Sequence, residues 1–263
     1  GEAAGIISAT PMSTLDTIMA RDPPVMKCGV KIDQWGMGWL NPDGTREGLD
    51  VEYCRAVASA IGLDPDTAIE YILATGTTRF DLLSGGDIDV LIRTTTWTAS
   101  RDADLNADFS GINFYDGQGI LVRSDFITAV DAGNSAYGLD GANICVGIGT
   151  TTEGNLEDWF STSGISINIE GIWDSSEGVE KFIDGTCDAL TGDMSAMVAK
   201  KYQLDADGSM NGVDIWIAQE ALSKEPLSAA TRDYDSDWNE IVSWVWYATV
   251  SYTHLTLPTT PYV

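Results

Sequence analysis

A chain of 263 residues allows one or two domains whose cores need no staples, and 44% hydrophobic residues is an ordinary globular share. The charge is not ordinary: 40 Asp and Glu against 14 Lys and Arg give a formal net charge of -26. Nucleic acid and anionic membrane surfaces require clustered cations and are excluded as partners, and any anion this chain binds must sit in a local pocket of fixed donors.

Residues 1–24 read as a flexible start and a short helix, Thr14 to Ala20, stopped by Asp22-Pro-Pro24. The opening Gly1-Glu-Ala-Ala-Gly-Ile-Ile7 lacks the basic start and long apolar segment of a signal peptide, which leaves a cytosolic chain or a processed export product. No run has transmembrane length. Val25 to Ile32 reads as a strand, followed by a Gly- and Trp-rich loop from Asp33 to Trp39 and the turn Asn41-Pro-Asp-Gly44. Gly48 to Gly62 is a helix with Val51, Cys54, Val57, Ala58 and Ile61 on one face. Ile69 to Leu73 is a strand, Thr78 to Leu83 a short helix and Ile88 to Ile92 a buried strand. An extended run, Asn113 to Val122, is broken by two glycines, and the alternation then begins again. Asn143 to Ile148, Ser166 to Ile169 and Cys187 to Thr191 read as strands, with helices at Thr152 to Thr162 and Ser176 to Asp184. A second crossing, Asp214 to Ser223, leads to an amphipathic helix, Asp237 to Thr249, with Trp238, Ile241, Val242, Val245 and Trp246 on one side. Two such α/β units imply two lobes, each a mostly parallel sheet flanked by helices.

The segment 251–263 stands apart: it has no carboxylate and holds the single histidine of an acidic chain. It resembles a translated sequencing-adapter tail and is set aside as foreign to the natural sequence.

The stretch Arg93-Thr-Thr-Thr-Trp-Thr-Ala-Ser-Arg101 places hydroxyls and two guanidiniums just after a strand, where open α/β sheets bind ligands. It is either an anion site or a Ser/Thr-rich turn with both arginines in surface ion pairs. Gly149-Thr-Thr-Thr-Glu153 offers free N–H groups at a helix start, and Thr150 with Glu153 has capping-box spacing. Asp193, after a strand, would accept an ammonium or cap the next helix. Arg79 near a helix start is placed against the dipole, and its other use is a distal acceptor on a ligand. Trp39 is pocket wall or plain packing.

Cys28, Cys54, Cys145 and Cys187 contain no CxxC pair, so no zinc site is expected; they suit one disulfide per lobe, with three pairings open. The acidic clusters Asp205 to Asp207 and Asp233 to Asp237 read as solvated turns, the second having Trp238 and Trp244 where a calcium loop needs Gly and Glu. Residues 1–250 contain no histidine, G-x-S-x-G or P-loop, so neither an enzyme nor a cofactor is expected.

With these residues in view the chain resembles the extracytoplasmic solute-binding proteins of polar amino-acid ABC transporters, in particular the general L-amino acid branch. The resemblance runs from about Leu15 to about Trp246. It rests on Cys28-Gly-Val30, Gly48-Leu-Asp-Val-Glu-Tyr-Cys-Arg-Ala-Val-Ala58, Thr94 to Asp102, Tyr115-Asp-Gly-Gln-Gly119, Cys145 to Glu153, Cys187 to Asp193 and Ser223-Lys-Glu-Pro-Leu227. It implies the two-lobed type II periplasmic binding protein fold, with residues 1–116 and 222–250 in lobe 1, 117–221 in lobe 2, and two hinge strands between. It implies an exported, monomeric receptor that hands a free L-amino acid to permease subunits. By the same resemblance Arg101, Thr96 and the Thr151 N–H, beside Thr150, hold the ligand's carboxylate; Thr94 and Asp193 hold its ammonium; Arg79 reaches an acidic side chain; and Trp39 covers the ligand. It also implies the pairs Cys28 with Cys54 and Cys145 with Cys187. In one departure, the loop Lys31 to Trp39 is about two residues longer than the family's usual one. The competing functions are a cyclohexadienyl dehydratase-like enzyme on the same fold and the ligand-sensing ectodomain of a signalling receptor.

Overall fold

The computed structural model describes residues 12–256; the flexible start expected at 1–11 and the last residues of the set-aside tail, 257–263, lie outside them. In chain order the elements are α1 (Thr14–Met19), β1 (Met26–Val30), β2 (Asp33–Gln34), β3 (Gly38–Leu40), β4 (Arg46–Glu47), α2 (Leu49–Ala60), β5 (Ile69–Leu73), α3 (Arg79–Gly85), β6 (Val90–Thr96), α4 (Ala99–Asp104) and β7 (Ala107–Arg123). There follow β8 (Asn143–Gly147), α5 (Thr151–Ser163), β9 (Asn168–Ile172), α6 (Ser175–Asp184), β10 (Ala189–Asp193), α7 (Met194–Asp207), β11 (Ile215–Ile217), β12 (Lys224–Arg232) and α8 (Ser236–Thr256).

The sheet runs β5-β1-β6-β12-β7-β10-β8-β9, with β11 also on β7. β1 pairs in parallel with β5 and β6, and β8 in parallel with β9 and β10. Between these two parallel sets lie the antiparallel strands β12 and β7. The long β7 serves both: Ala107 to Gly117 pair with β12, and Gln118 to Val122 with β10. Its change of partner falls where two glycines, Gly117 and Gly119, leave the strand short of side chains to pack.

Apolar spacing decides the layers. Tyr53, Cys54, Val57 and Ala58 of α2 are buried against β1 and β6, and α8 brings Trp238 and Val242 to the same core. Ile241, Val245 and Trp246 pack against it, so the stripe read from sequence is the buried face. A second pair of cores covers the two faces of β10-β8-β9, one around Phe160 and Leu156 of α5 and one around Phe182 of α6. Each lobe is further tied by a disulfide between a strand region and a neighbouring element: Cys28 to Cys54 with Cα atoms 6.3 Å apart, and Cys145 to Cys187 at 5.7 Å.

Several boundaries differ from expectation. β6 does not end at Ile92 but runs on through Thr96, because β12 pairs with Thr95 and Thr96. The strand expected at Ser166 to Ile169 is Asn168–Ile172. The crossing expected at Asp214 to Ser223 holds only the three-residue β11, and the long return strand is β12, which follows it. The helix α8 continues to Thr256, into the set-aside segment.

Gly48 fixes how the β2–β3 hairpin meets α2. Its φ is +115°, and a Cβ there would lie 2.2 Å from the Met37 carbonyl oxygen. That approach lets Leu49 N–H reach Gly36 O at 2.9 Å and Asp50 N–H reach Met37 O at 3.0 Å, satisfying two donors of the first helical turn. Gly48→Ala should therefore destabilise the protein by about 1 to 3 kcal/mol, measured by denaturant or thermal melting.

Candidate functional site

A cavity of about 600 Å³ opens between the two parallel sets of strands, and all eight residues proposed from the sequence line it: Trp39, Arg79, Thr94, Thr96, Arg101, Thr150, Thr151 and Asp193. They arrive from separate elements. β6 delivers Thr94 and Thr96, α4 Arg101, α3 Arg79 and the hairpin Trp39, while the start of α5 delivers Thr150 and Thr151 and the end of β10 delivers Asp193. Arg93, from the candidate anion stretch, also lines the cavity, as do Lys31, Asp33 and Lys200, to which no site role had been given from sequence.

Charge distinguishes this cavity from the rest of the molecule. Five of the chain's 14 Lys and Arg residues line it, namely Lys31, Arg79, Arg93, Arg101 and Lys200. Elsewhere Arg21, Arg55, Arg123, Lys181 and Lys201 pair with carboxylates, whereas none of the five cavity cations forms an ion pair among the described residues. Arg79 is 3% exposed, its Nε has no hydrogen-bond partner among the described residues, and its Nη1 reaches Thr95 Oγ1 at 3.4 Å. Its guanidinium and that of Arg101 lie over the Phe80 ring, 5.1 and 5.6 Å from the centroid. Burial, then repulsion from Arg93 and Arg101, holds the Arg79 pKa well below its ordinary value. Burial also pushes Arg101 down to about 10, against the attraction of Glu225. A guanidinium keeps its proton in a protein, so these shifts register positive charge that an anion would stabilise. The surface ion pairs considered for Arg93 and Arg101 are thus absent.

Arg101 Nη1 donates to Thr96 O at 2.9 Å, which orients the guanidinium along the strand end. Thr150 caps α5 by accepting from Glu153 N–H at 3.3 Å, and Glu153 Oε2 accepts from Gly149 N–H at 3.0 Å. The Thr150 cap is formed, but the return bond of Glu153 falls on Gly149 rather than on the N-cap N–H, and this helix start sits on the cavity wall. Asp193 is the N-cap of α7 but makes no side-chain capping bond. Its carboxylate is left for the cavity, and burial pushes its pKa up to about 6, countered by Lys31 and reinforced by Asp116 and Glu225.

Two carboxylates behind the cavity wall were not singled out from sequence. Asp50, 2% exposed, accepts from Thr94 N–H at 3.1 Å, and burial raises its pKa to about 6. Thr94 has φ of +41°, a strained conformation for a β-branched residue, and this bond helps to hold it. Glu225 of β12 accepts from the hydroxyls of Thr96, Thr151 and Ser223 and from Asn155 Nδ2 at 2.9 Å. Thr96 belongs to the first parallel set and Thr151 and Asn155 to the second, so one buried carboxylate holds both sides of the cleft together. Each threonine hydroxyl has a single proton, and here Glu225 takes it.

Residues 26–205 match the model of the bacterial extracellular solute-binding proteins, family 3. The chain belongs to this family. Among family relatives it is 41% identical over 249 residues to the glutamate/glutamine/aspartate/asparagine-binding protein of Rhodobacter capsulatus, spanning 95% of this chain and 70% of that one. It is 38% identical to the general L-amino acid-binding periplasmic protein of Rhizobium johnstonii, covering 93% and 68%. A solved family structure, the periplasmic binding protein from Brucella ovis with glutathione bound, superposes with a TM-score of 0.84 at 37% identity, over 93% of this chain and 73% of that one. The fold is accordingly the two-lobed type II binding-protein fold of the family, and no helix among the described residues is long and apolar enough to cross a membrane.

Asp50 and Asp193 each hold a proton more firmly in the folded chain, near pH 6, than an unfolded Asp does. Between about pH 7 and pH 5 the folded state therefore takes up protons that the unfolded state does not, and stability without ligand rises on acidification. Thermal melting across that window should show Tm increasing toward the lower pH. Asp193→Asn should melt higher than the parent at pH 7 and show a shallower rise; an unchanged profile would mean the carboxylate is solvated.

Proposed function

We propose that this chain is a periplasmic receptor that closes its lobes over one free L-amino acid, acidic or polar side chains preferred, and delivers it to the permease of an ABC transporter. The observation that supports this most is that Arg79, Arg93 and Arg101, none in an ion pair among the described residues, share one cavity with Asp193 of the other lobe. Arg101, with the N–H groups at the start of α5, suits an α-carboxylate. Asp193, with Thr94, suits an α-ammonium. Arg79 lies free for a side-chain acceptor, and Trp39 forms part of the wall.

The burial of Arg79 favours an anionic side chain. Arg79 lies among the cavity residues with its Nε unpartnered and no ion pair among the described residues. Glutamate or aspartate would supply the missing acceptor. Leucine would leave Arg79 buried without an acceptor. The Rhodobacter relative's name, which includes glutamate and aspartate with their amides, agrees with this preference. We take the lobes as 1–116 with 222–250, and 117–221, a division supported by the change of partner in β7 after Gly117. The receptor would work as a monomer. The relatives are named as binding proteins, which agrees with a receptor rather than an enzyme.

Isothermal titration should give tighter binding for glutamate than for leucine. Arg101→Ala and Asp193→Ala should each weaken glutamate by about 30-fold or more, since removing one partner of a buried charge pair costs roughly 2 to 5 kcal/mol. Neither should lower the melting temperature of the unliganded protein. A variant that retains the parent's ligand-induced shift in Tm removes that residue from the site, and equal affinity for glutamate and leucine contradicts the role of Arg79.

A further inference from the structure

Lys31, just past the end of β1, lines the cavity, and Asp33, Asp193 and Asp50 all attract its ammonium. Yet Lys31 forms an ion pair with none of them among the described residues. Its Nζ donates instead to Gln34 Oε1 at 2.7 Å. Gln34 is 2% exposed, and its Nε2 donates to Ser195 Oγ at 3.0 Å. Ser195 passes the direction on: its hydroxyl donates to Asp116 Oδ2, and its N–H reaches Asp116 Oδ1 at 3.3 Å. A lysine has donors alone and a carboxylate acceptors alone, so every proton in this relay points one way, from Lys31 toward Asp116. The amide of Gln34 has one orientation that satisfies both neighbours.

The relay spans the cleft. Lys31 and Gln34 belong to lobe 1, Ser195 to the first turn of α7 beside Asp193, and Asp116 to β7 just before its change of partner. Trp35, next to Gln34, meets Tyr202 of α7 with ring centroids 5.9 Å apart, so the hairpin rests on that helix. In a cavity of low dielectric a lysine freed from Gln34 would fall onto a carboxylate, Asp33 attracting it most and Asp193 next.

We propose that Gln34 and Ser195 are positioning residues for Lys31, whose ammonium they hold in the cavity but clear of Asp193, so that it serves an anionic ligand side chain while Asp193 stays open to the ligand's own ammonium. The assignment rests on the amino-acid receptor reading above. Because the relay is complete with the lobes together, closure and the aim of Lys31 become one event.

Calorimetric titration of glutamate and glutamine against the full chain tests it, with Gln34→Ala, Ser195→Ala, Lys31→Met and the Gln34→Ala/Lys31→Met double variant. Each single variant should weaken glutamate by about tenfold or more and glutamine by no more than about threefold. The double variant should bind glutamate no worse than Lys31→Met alone, since Gln34 acts through Lys31. Equal losses for both ligands would make the relay a closure latch without aim and overturn the proposal, as would additive losses in the double variant or no loss in the singles. A parent protein that binds neither ligand would overturn the receptor reading first and this assignment with it.

Discussion

Positive charge without a partner, taken out of water, is the condition on which this molecule's architecture turns. The chain carries a formal charge of -26, and several of its cations are paired with carboxylates at the surface. Five are instead gathered in one cleft and kept from pairing, an arrangement that destabilises the unliganded state. Desolvation is expensive for an uncompensated cation and cheaper for one that gains an anion, so the fold holds binding energy in reserve. At long range the acidic exterior repels anions, so an anion in this pocket would have to be held by its fixed donors.

Keeping the cations apart from nearby carboxylates requires that those carboxylates be occupied. Asp50 is held by the backbone of Thr94, Glu225 by three hydroxyls and an amide, and Asp116 by Ser195. Each spends its lone pairs on a neutral donor, which satisfies the buried group without quenching a cation. The strained φ of Thr94 belongs to the same arrangement, since turning that residue aims its N–H at Asp50 within a strand that β12 interrupts and shifts.

The crossing strands make the site possible in a second way. β7 changes partner in mid-course, and β12 lies against both β6 and β7, so residues from the two lobes meet at Glu225 although 74 positions separate it from Thr151 and 129 from Thr96. A stretch with Pro226, a lysine, a glutamate and small residues does not advertise a buried strand. It was missed as a long strand for that reason, and its pairing with β6 is also why the hydroxyl run proved to be strand rather than loop.

Much of the architecture was legible from residue order. Apolar spacing in α2 and α8, the alternation of strand and helix, the cap at Thr150 and the cluster of hydroxyls before Arg101 are local signals, written within a few turns of the chain. Together with the resemblance they named eight residues that prove to line one cavity. What order could not decide is charge pairing. Whether Arg93, Lys31 and Lys200 meet carboxylates, and whether Asp50 and Glu225 are solvated or buried behind the wall, depends on distances between residues far apart in sequence. Those distances exist once the lobes are folded and facing, because electrostatic interaction and desolvation act through space and not along the chain.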